Sequence, residues 1–261
     1  MISKNKLKYI HSLEQKKARQ REGVFVAEGT KTVNELLLAD FCPQCLIGTE
    51  AWFDSMPESP ARKAEHIIVT EDELRKASFL QHPQQVMGIF LAPQSESLPA
   101  PEWFDSNLCL VLDGVQDPGN LGTIIRIADW FGISTIICSR ETADAFAPKV
   151  VQATMGSIAR VRVVYTSLPH LVDRLPKDHP VFGTLLDGEN IYAKELPQHG
   201  IIVMGNEGNG ISAEMRSRIS QKLLIPTFAT TADKADSLNV AVATAIVCSE
   251  FRRSKGKKVK G

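Results

Sequence analysis

Little in this sequence names an activity at first sight. Its formal net charge is zero, with 30 basic residues against 30 acidic ones, which argues against a uniformly basic nucleic-acid binder. No apolar run approaches the ~20 residues of a membrane-spanning helix and no signal peptide precedes the body, so no membrane association and a cytoplasmic location are expected. The five cysteines are odd in number and scattered, apart from Cys42 and Cys45. No second close pair completes a structural zinc site around these two, so no metal is expected, and the thiols read as buried or incidental ones in a reducing compartment. The glycines at 205, 208 and 210 run in the order G-x-x-G-x-G, which is not the dinucleotide fingerprint, and no Gly-Lys-Ser/Thr follows to make a phosphate loop. No internal repeat is present.

What is there is an α/β chain in two parts. An apolar fraction of 43% over 261 residues supports a proper core. Residues 3–20 look helical and basic, 23–27 form a short strand, and 30–39 an amphipathic helix with Val33, Leu36 and Leu37 inward. Strands at 46–48, 67–69 and 86–91 and a helix at 71–77 complete a small α/β domain, residues 1–95. The proline- and serine-rich stretch around APQSESLPAP marks a linker, residues 96–106. A second domain, residues 107–253, carries strands at 108–112, 135–138, 162–164, 181–185, 201–204 and 223–225, mostly separated by helices, the pattern of a parallel sheet. Its last helix spans 237–253, and a basic tail, residues 254–261, follows. Charge is segregated: Lys4, Lys6, Lys8, Lys16, Lys17, Arg19 and Arg21 face only Glu14, and six more basic residues lie between Arg252 and Lys260. Basic ends on a neutral body suggest a polyanion partner, and equally suit termini that merely aid solubility.

Three loops carry candidate chemistry. The first, DGVQDPGNLGTIIR, follows the strand 108–112; Asp117-Pro118-Gly119 makes a turn, Asn120 is positioned to cap a helix, and Arg126 lies within two turns, on the face of Gly122 and close to Thr123. An arginine so near a strand's carboxyl end stands where open α/β sheets bind ligands; a surface ion pair is the plainer reading. The second, IIVMGNEGNGIS, is strand, glycine loop and helix start, with Ser212 as cap and Glu207, Asn206 and Asn209 at the mouth. The third runs LLIPTFATTADKADSLNVAVAT; Pro226 ends a strand, Ser237 caps the last helix, and Asn239 falls in its first turn.

Taken together and in order, NLGTIIR, VMGNEGNGIS, and IPT followed by SLNVAVA resemble the SpoU (TrmH) family of RNA ribose 2′-O-methyltransferases over roughly residues 107–252. KYIHSLEQKKARQREGVFVAEG resembles, more loosely, the ribosomal-protein-like substrate-binding module often fused to such enzymes. The resemblance implies a SPOUT-type parallel-sheet domain ending in a trefoil knot, an exception to unknotted topology. It implies S-adenosylmethionine as cofactor and a homodimer whose sites draw on both subunits. It also implies a structured RNA as substrate, ribosomal RNA before transfer RNA. By the same analogy, backbone atoms around Gly205, Ile225 and Leu238 hold the cofactor and Thr184 lines its pocket. Arg126 acts on the ribose hydroxyl, Glu207, Ser237 and Asn239 position the reacting groups, and Asn120 shapes the loop.

These residue types suit the chemistry. The sulfonium methyl is already activated, so the enzyme must mainly align a hydroxyl and remove its proton. No histidine or cysteine stands in the loops as a base. Arg126 serves either as that base, which a side-chain pKa above ~12 makes awkward, or as a clamp on phosphate. Family members commonly carry Met and a nearby Gly after the third loop's Ile-Pro; here Thr227 and Phe228 stand there, and the loop to Asp236 has no glycine. That departure bears on cofactor affinity and keeps open a catalytically weak RNA-binding or ribosome-assembly relative. A conventional Rossmann-type methyltransferase fits worse, because its glycine loop lies near the first strand.

Overall fold

The structure, a computed structural model, describes residues 2–56, 64–93, 97–229 and 236–253. It divides into two compact units, Met1–Glu96 with Asp144–Arg160, and Ser97–Ala143 with Val161–Gly261. The expected basic tail lies outside the described residues, as does the stretch 230–235 of the third loop.

In the first unit, α1 (Lys4–Ser12) and α2 (Lys16–Glu22) replace the single helix expected over 3–20. The break has a physical cause. Leu13 turns fully into the core, and Arg19 reaches back so that its guanidinium donates to the carbonyl oxygens of Leu13 (2.8 Å) and Glu14 (2.7 Å), serving chain just past the end of α1. β1 (Val24–Glu28), α3 (Thr30–Leu38), β2 (Pro43–Gly48), α4 (Glu50–Ser55), β3 (Glu65–Ile68), α5 (Glu71–Ala77) and β4 (Val86–Leu91) follow. The sheet order is β1-β4-β2-β3, with β2 and β3 parallel and the other neighbours antiparallel. Alternation along β1 sets the layers: Val24 and Val26 join Ile10, Leu13 and Leu74 on one face, while Phe25 stacks on Phe90 on the other. α4 has no counterpart among the expected elements; Thr49 caps it by accepting from the Trp52 N–H, and Trp52 is fully buried.

The second part of the chain continues through β5 (Leu108–Asp113), α6 (Pro118–Trp130), β6 (Thr135–Cys138), α7 (Pro148–Thr154), β7 (Arg162–Tyr165), α8 (Leu168–Asp173), β8 (Val181–Asn190), β9 (Gly200–Gly205), α9 (Ala213–Arg216), β10 (Gln221–Leu224) and α10 (Val240–Arg252). Its six strands are all parallel, in the order β10-β8-β9-β5-β6-β7. Phe104, Leu168, Leu171 and Met215 cover one face of the sheet, over Cys109, Val111, Ile201 and Val203. α6 and α10 pack against each other on the second unit's sheet, where Phe251 meets Phe182 edge-on at 4.9 Å. Among the described residues, no helix is long and apolar enough to cross a membrane.

Two features depart from a regular doubly wound sheet. β8 runs past the expected end at Leu185 and pairs with β10 at Phe182 and Gly183, then again at Glu189 and Asn190, so Thr184–Gly188 stand out of register. Gly188 permits the return, since a Cβ there would lie 2.5 Å from the carbonyl carbon of Leu223. The segment Asp144–Arg160, between β6 and β7, groups with the first unit. There Phe146 lies 4.9 Å from Phe25, Asp144 accepts from Arg19 at 2.6 Å, and Arg160 pairs with Glu35.

Candidate active site

Strand order reverses between β5 and β9: β6 and β7 lie to one side, β8 and β10 to the other. The crevice beyond the carboxyl ends of such a pair is where open parallel sheets take ligands. At this end Asp113 pairs with Gly205, and all three motif loops originate within two strands of it.

The first loop starts α6 earlier than expected. Asp117, not Asn120, is the cap: its Oδ1 accepts from the Asn120 N–H at 2.7 Å, and Pro118 takes the first helical position. Asn120 is thereby released from capping, and its side chain points to other loops. Arg126 is exposed, on a stripe with Thr123 and Trp130, whereas Gly122 is buried. No hydrogen bond or ion pair engages Arg126 among the described residues.

The second loop is closed on itself. Asn206 and Gly210 exchange backbone hydrogen bonds, each of 2.9 Å, and Gly210 takes φ +68° to make the turn. Gly205 is required for packing within the chain: a Cβ there would sit 2.3 Å from the carbonyl carbon of Gly210 and 2.4 Å from the Ile211 nitrogen. Ser212 caps α9 as expected, with its hydroxyl accepting from the Met215 N–H, and its own N–H donates to Asp113 at 2.8 Å. Thr184 reaches this strand from β8, donating to the Val203 carbonyl at 3.4 Å. Below it, Asp187 pairs with Lys222 (2.8 Å) and Arg216 (2.7 Å), and the Lys222 ammonium holds its carboxyl below the usual aspartate range.

In the third loop the cap again differs from expectation. Asn239, not Ser237, caps α10, accepting from the N–H groups of Ala241 (3.0 Å) and Val242 (3.3 Å); Ser237 stands exposed before it. Ile225 lies just past β10 and Leu238 is half exposed.

A chain of side chains links the three loops. Asn239 Nδ2 donates to Asn120 Oδ1 at 2.9 Å, and Asn120 Nδ2 donates to Glu207 Oε1 at 2.7 Å. Residues 87 and 119 apart in sequence are thus held in one line, with a carboxylate at its end. Among the described residues, Arg126, Ser237, Ile225 and Leu238 make no hydrogen bond to this chain through their side chains. Asn206 stands at the loop mouth beside Glu207 as expected; its partner, the Gly114 carbonyl, is 92 residues away in sequence and had no local signal.

Residues 107–249 match the SpoU rRNA methylase family, and residues 4–88 match the MRM3-like substrate binding domain. The chain belongs to the SpoU rRNA methylase family. A 23S rRNA (guanosine(2553)-2′-O)-methyltransferase, RlmP of Bacillus subtilis, is 32% identical to it, over 95% of this chain and 96% of the relative. A TrmH-family protein from Porphyromonas gingivalis superposes with a TM-score of 0.85 at 40% identity, covering 97% of this chain and 99% of that one. An rRNA methyltransferase from Sinorhizobium meliloti, solved with AdoMet bound, superposes with a TM-score of 0.83 at 31% identity, covering 97% of each chain.

Within this SpoU member, the charge of the first unit is not uniformly available to a partner. Arg19 is 4% exposed and committed to Asp144, Leu13 and Glu14, and Lys6 pairs with Glu65 at 2.5 Å. Lys4, Lys8, Lys16, Lys17 and Arg21 remain exposed. Cys45 is buried, with its thiol pushed up to about 11 by burial, and Cys42 is exposed.

Proposed function

We propose that this protein transfers the methyl group of S-adenosylmethionine to a ribose 2′-hydroxyl of ribosomal RNA. The observation that carries the reading is the Asn239–Asn120–Glu207 chain, which joins the three family loops at the sheet's switch point. The cofactor fits the residues offered. Thr184 stands within β8 beside β9, Gly205 at the end of β9 and Ile225 just past β10, where backbone groups suit the polar parts of a nucleoside, and the half-exposed Leu238 suits its ring. When bound, S-adenosylmethionine supplies a methyl group already activated by its sulfonium.

The chain's own task is alignment. A guanidinium keeps its proton and pairs with phosphate through parallel N–H groups, so Arg126, exposed and without a local partner among the described residues, is assigned to hold the phosphate beside the reacting ribose. Glu207, steadied by Asn120, accepts a hydrogen bond from the 2′-hydroxyl and directs its proton to solvent as the oxygen takes the methyl, while Asn239 and Ser237 set the position of the ribose at the mouth of α10. RNA recruitment is assigned to residues 1–95, through the exposed lysines of α1 and α2, with a further contribution from the tail 254–261. The reading includes a cytoplasmic location, the knotted carboxyl-terminal threading of the family and a homodimer.

The test is to map 2′-O-methyl sites in ribosomal and transfer RNA from cells with and without the gene, and to reproduce any lost site with the purified chain and S-adenosylmethionine. Loss of one ribosomal site, restored in vitro, is the expected result. RNA binding with no change in methylation would favour a ribosome-assembly role instead.

A further inference from the structure

We infer that Asn206 is a positioning residue for Glu207. The inference rests on Glu207 acting at the proposed site and goes on to ask what holds its backbone still. Glu207 sits at the tip of the loop 206–210, exposed, and its side chain has one partner among the described residues, Asn120. A carboxylate on an exposed tip is useful for alignment only if the tip itself is fixed.

Asn206 provides that fixing from both sides. Its Oδ1 accepts from the N–H groups of Gly208 (2.9 Å) and Asn209 (3.0 Å), folding the loop around it. Its backbone exchanges two hydrogen bonds with Gly210. Its Nδ2 then donates out of the loop, to the carbonyl of Gly114 at 2.7 Å. Gly114 is itself a firm post. It takes φ +75°, its N–H donates to Ser139 Oγ at 3.1 Å, and Ser139 shares a hydroxyl contact with Thr142, whose Oγ1 donates to the Leu112 carbonyl on β5. The tip carrying Glu207 is therefore tied through one amide to the central strand. The same amide joins the end of β5 to the end of β9, the two strands that flank the crevice.

Asn206→Asp separates the two functions. An aspartate keeps the acceptor for Gly208 and Asn209, so the loop still closes, but it cannot donate to Gly114 and sets a second oxygen against that carbonyl. Single-turnover methyl transfer, thermal melting and calorimetry with S-adenosylmethionine are measured on the full chain for Asn206→Asp, Asn206→Ala, Glu207→Ala and the two double variants. A displacement of the reacting groups by about 1 Å costs up to a hundred-fold, so Asn206→Asp is expected to slow the chemical step by ten- to a hundred-fold, with cofactor affinity nearly unchanged and the melt lowered modestly by the lost hydrogen bond. In the Glu207→Ala background the same change is expected to cost less than about three-fold, because the group it positions is gone. A folded Asn206→Asp protein with the parent rate overturns the inference, as do additive losses in the double variants. A variant that fails to fold overturns it too, in favour of a purely structural role for Asn206. Absence of transfer by the parent protein itself would instead refute the methyltransferase reading.

Discussion

Replacing Asn120 by aspartate tests the side-chain chain at its centre. In the native site Asn120 donates to Glu207 at 2.7 Å and accepts from Asn239 at 2.9 Å. The aspartate could still accept from Asn239 but has no hydrogen to offer Glu207. Removing a hydrogen bond to an ionised group costs about 1.5–3 kcal/mol in general; Glu207 is exposed and water competes, so about 1 kcal/mol applies here. The new carboxylate adds a like charge about 4 Å away, worth about 1 kcal/mol in a water-like medium. The sum of about 2 kcal/mol in holding Glu207 in place corresponds to roughly a thirty-fold slower chemical step. Stability should fall by less than this sum, because the exposed Glu207 is free to turn into solvent and the helix start offsets part of the cost. The Asn120 N–H is capped by Asp117 whatever the side chain, and an acid in the first turn of α6 interacts favourably with the helix dipole. The assay is single-turnover methyl transfer with saturating cofactor and RNA, run beside a thermal melt. A folded Asn120→Asp protein within about two-fold of the parent rate would refute the idea that this chain aligns the reaction.

Arg126→Ala should abolish methyl transfer yet change folding stability by less than about 0.5 kcal/mol, because the side chain is exposed and unengaged among the described residues; activity and melting curves decide it. Gly205→Ala should destabilise by about 1–3 kcal/mol, since its Cβ would meet the Gly210 and Ile211 backbone. Gly208→Ala should be tolerated, as the nearest atom there is 3.5 Å away; paired denaturant titrations compare the two. Arg19→Ala should cost about 3–5 kcal/mol of stability by leaving Asp144 and two carbonyl groups without their buried partner. Lys16→Ala with Lys17→Ala should leave melting unchanged and flatten the log–log salt dependence of RNA binding by roughly 0.7–0.9 for each phosphate these lysines neutralise, read from a salt series.

Much of the fold could be read in advance because buried parallel strands write themselves as unbroken apolar runs. Leu108 to Leu112 and Ile201 to Met204 are such runs, and both lie in strands that extend them by a residue or two. The parts that escaped depend on partners far away in sequence. Nothing local in Asp144–Arg160 announces that Phe146 meets Phe25, or that Asp144 and Arg160 pair with Arg19 and Glu35. The break between α1 and α2 likewise follows from where Leu13 is buried, not from a helix breaker. At the site, the errors concern caps. Asp117 and Asn120 are both good caps, and Pro118 at the first helical position selects Asp117. Ser237 and Asn239 compete in the same way, and the cap falls two residues later than the sequence suggests. The first correction leaves the Asn120 side chain free to reach Glu207; the second gives Asn239 two tasks at once, capping α10 and donating to Asn120.

The prominence of asparagine follows from what the network must do. Asn120 has to offer a hydrogen to a carboxylate and a lone pair to an amide, at either end of one short planar group; aspartate lacks the first and serine lacks the span. Asn206 uses the same duality, accepting inside its loop and donating to Gly114, and Asn239 uses it again, accepting from the first N–H groups of α10 and donating to Asn120. Asn206, bonded to the Gly114 carbonyl, and Asn239, bonded to Asn120, therefore tie the second and third loops to the first through carboxamides and a backbone carbonyl. Glu207 is held by the Asn120 carboxamide, a neutral donor. A reaction whose methyl group arrives already activated asks mainly for such steadiness. That is why loops without histidine or cysteine are adequate to it.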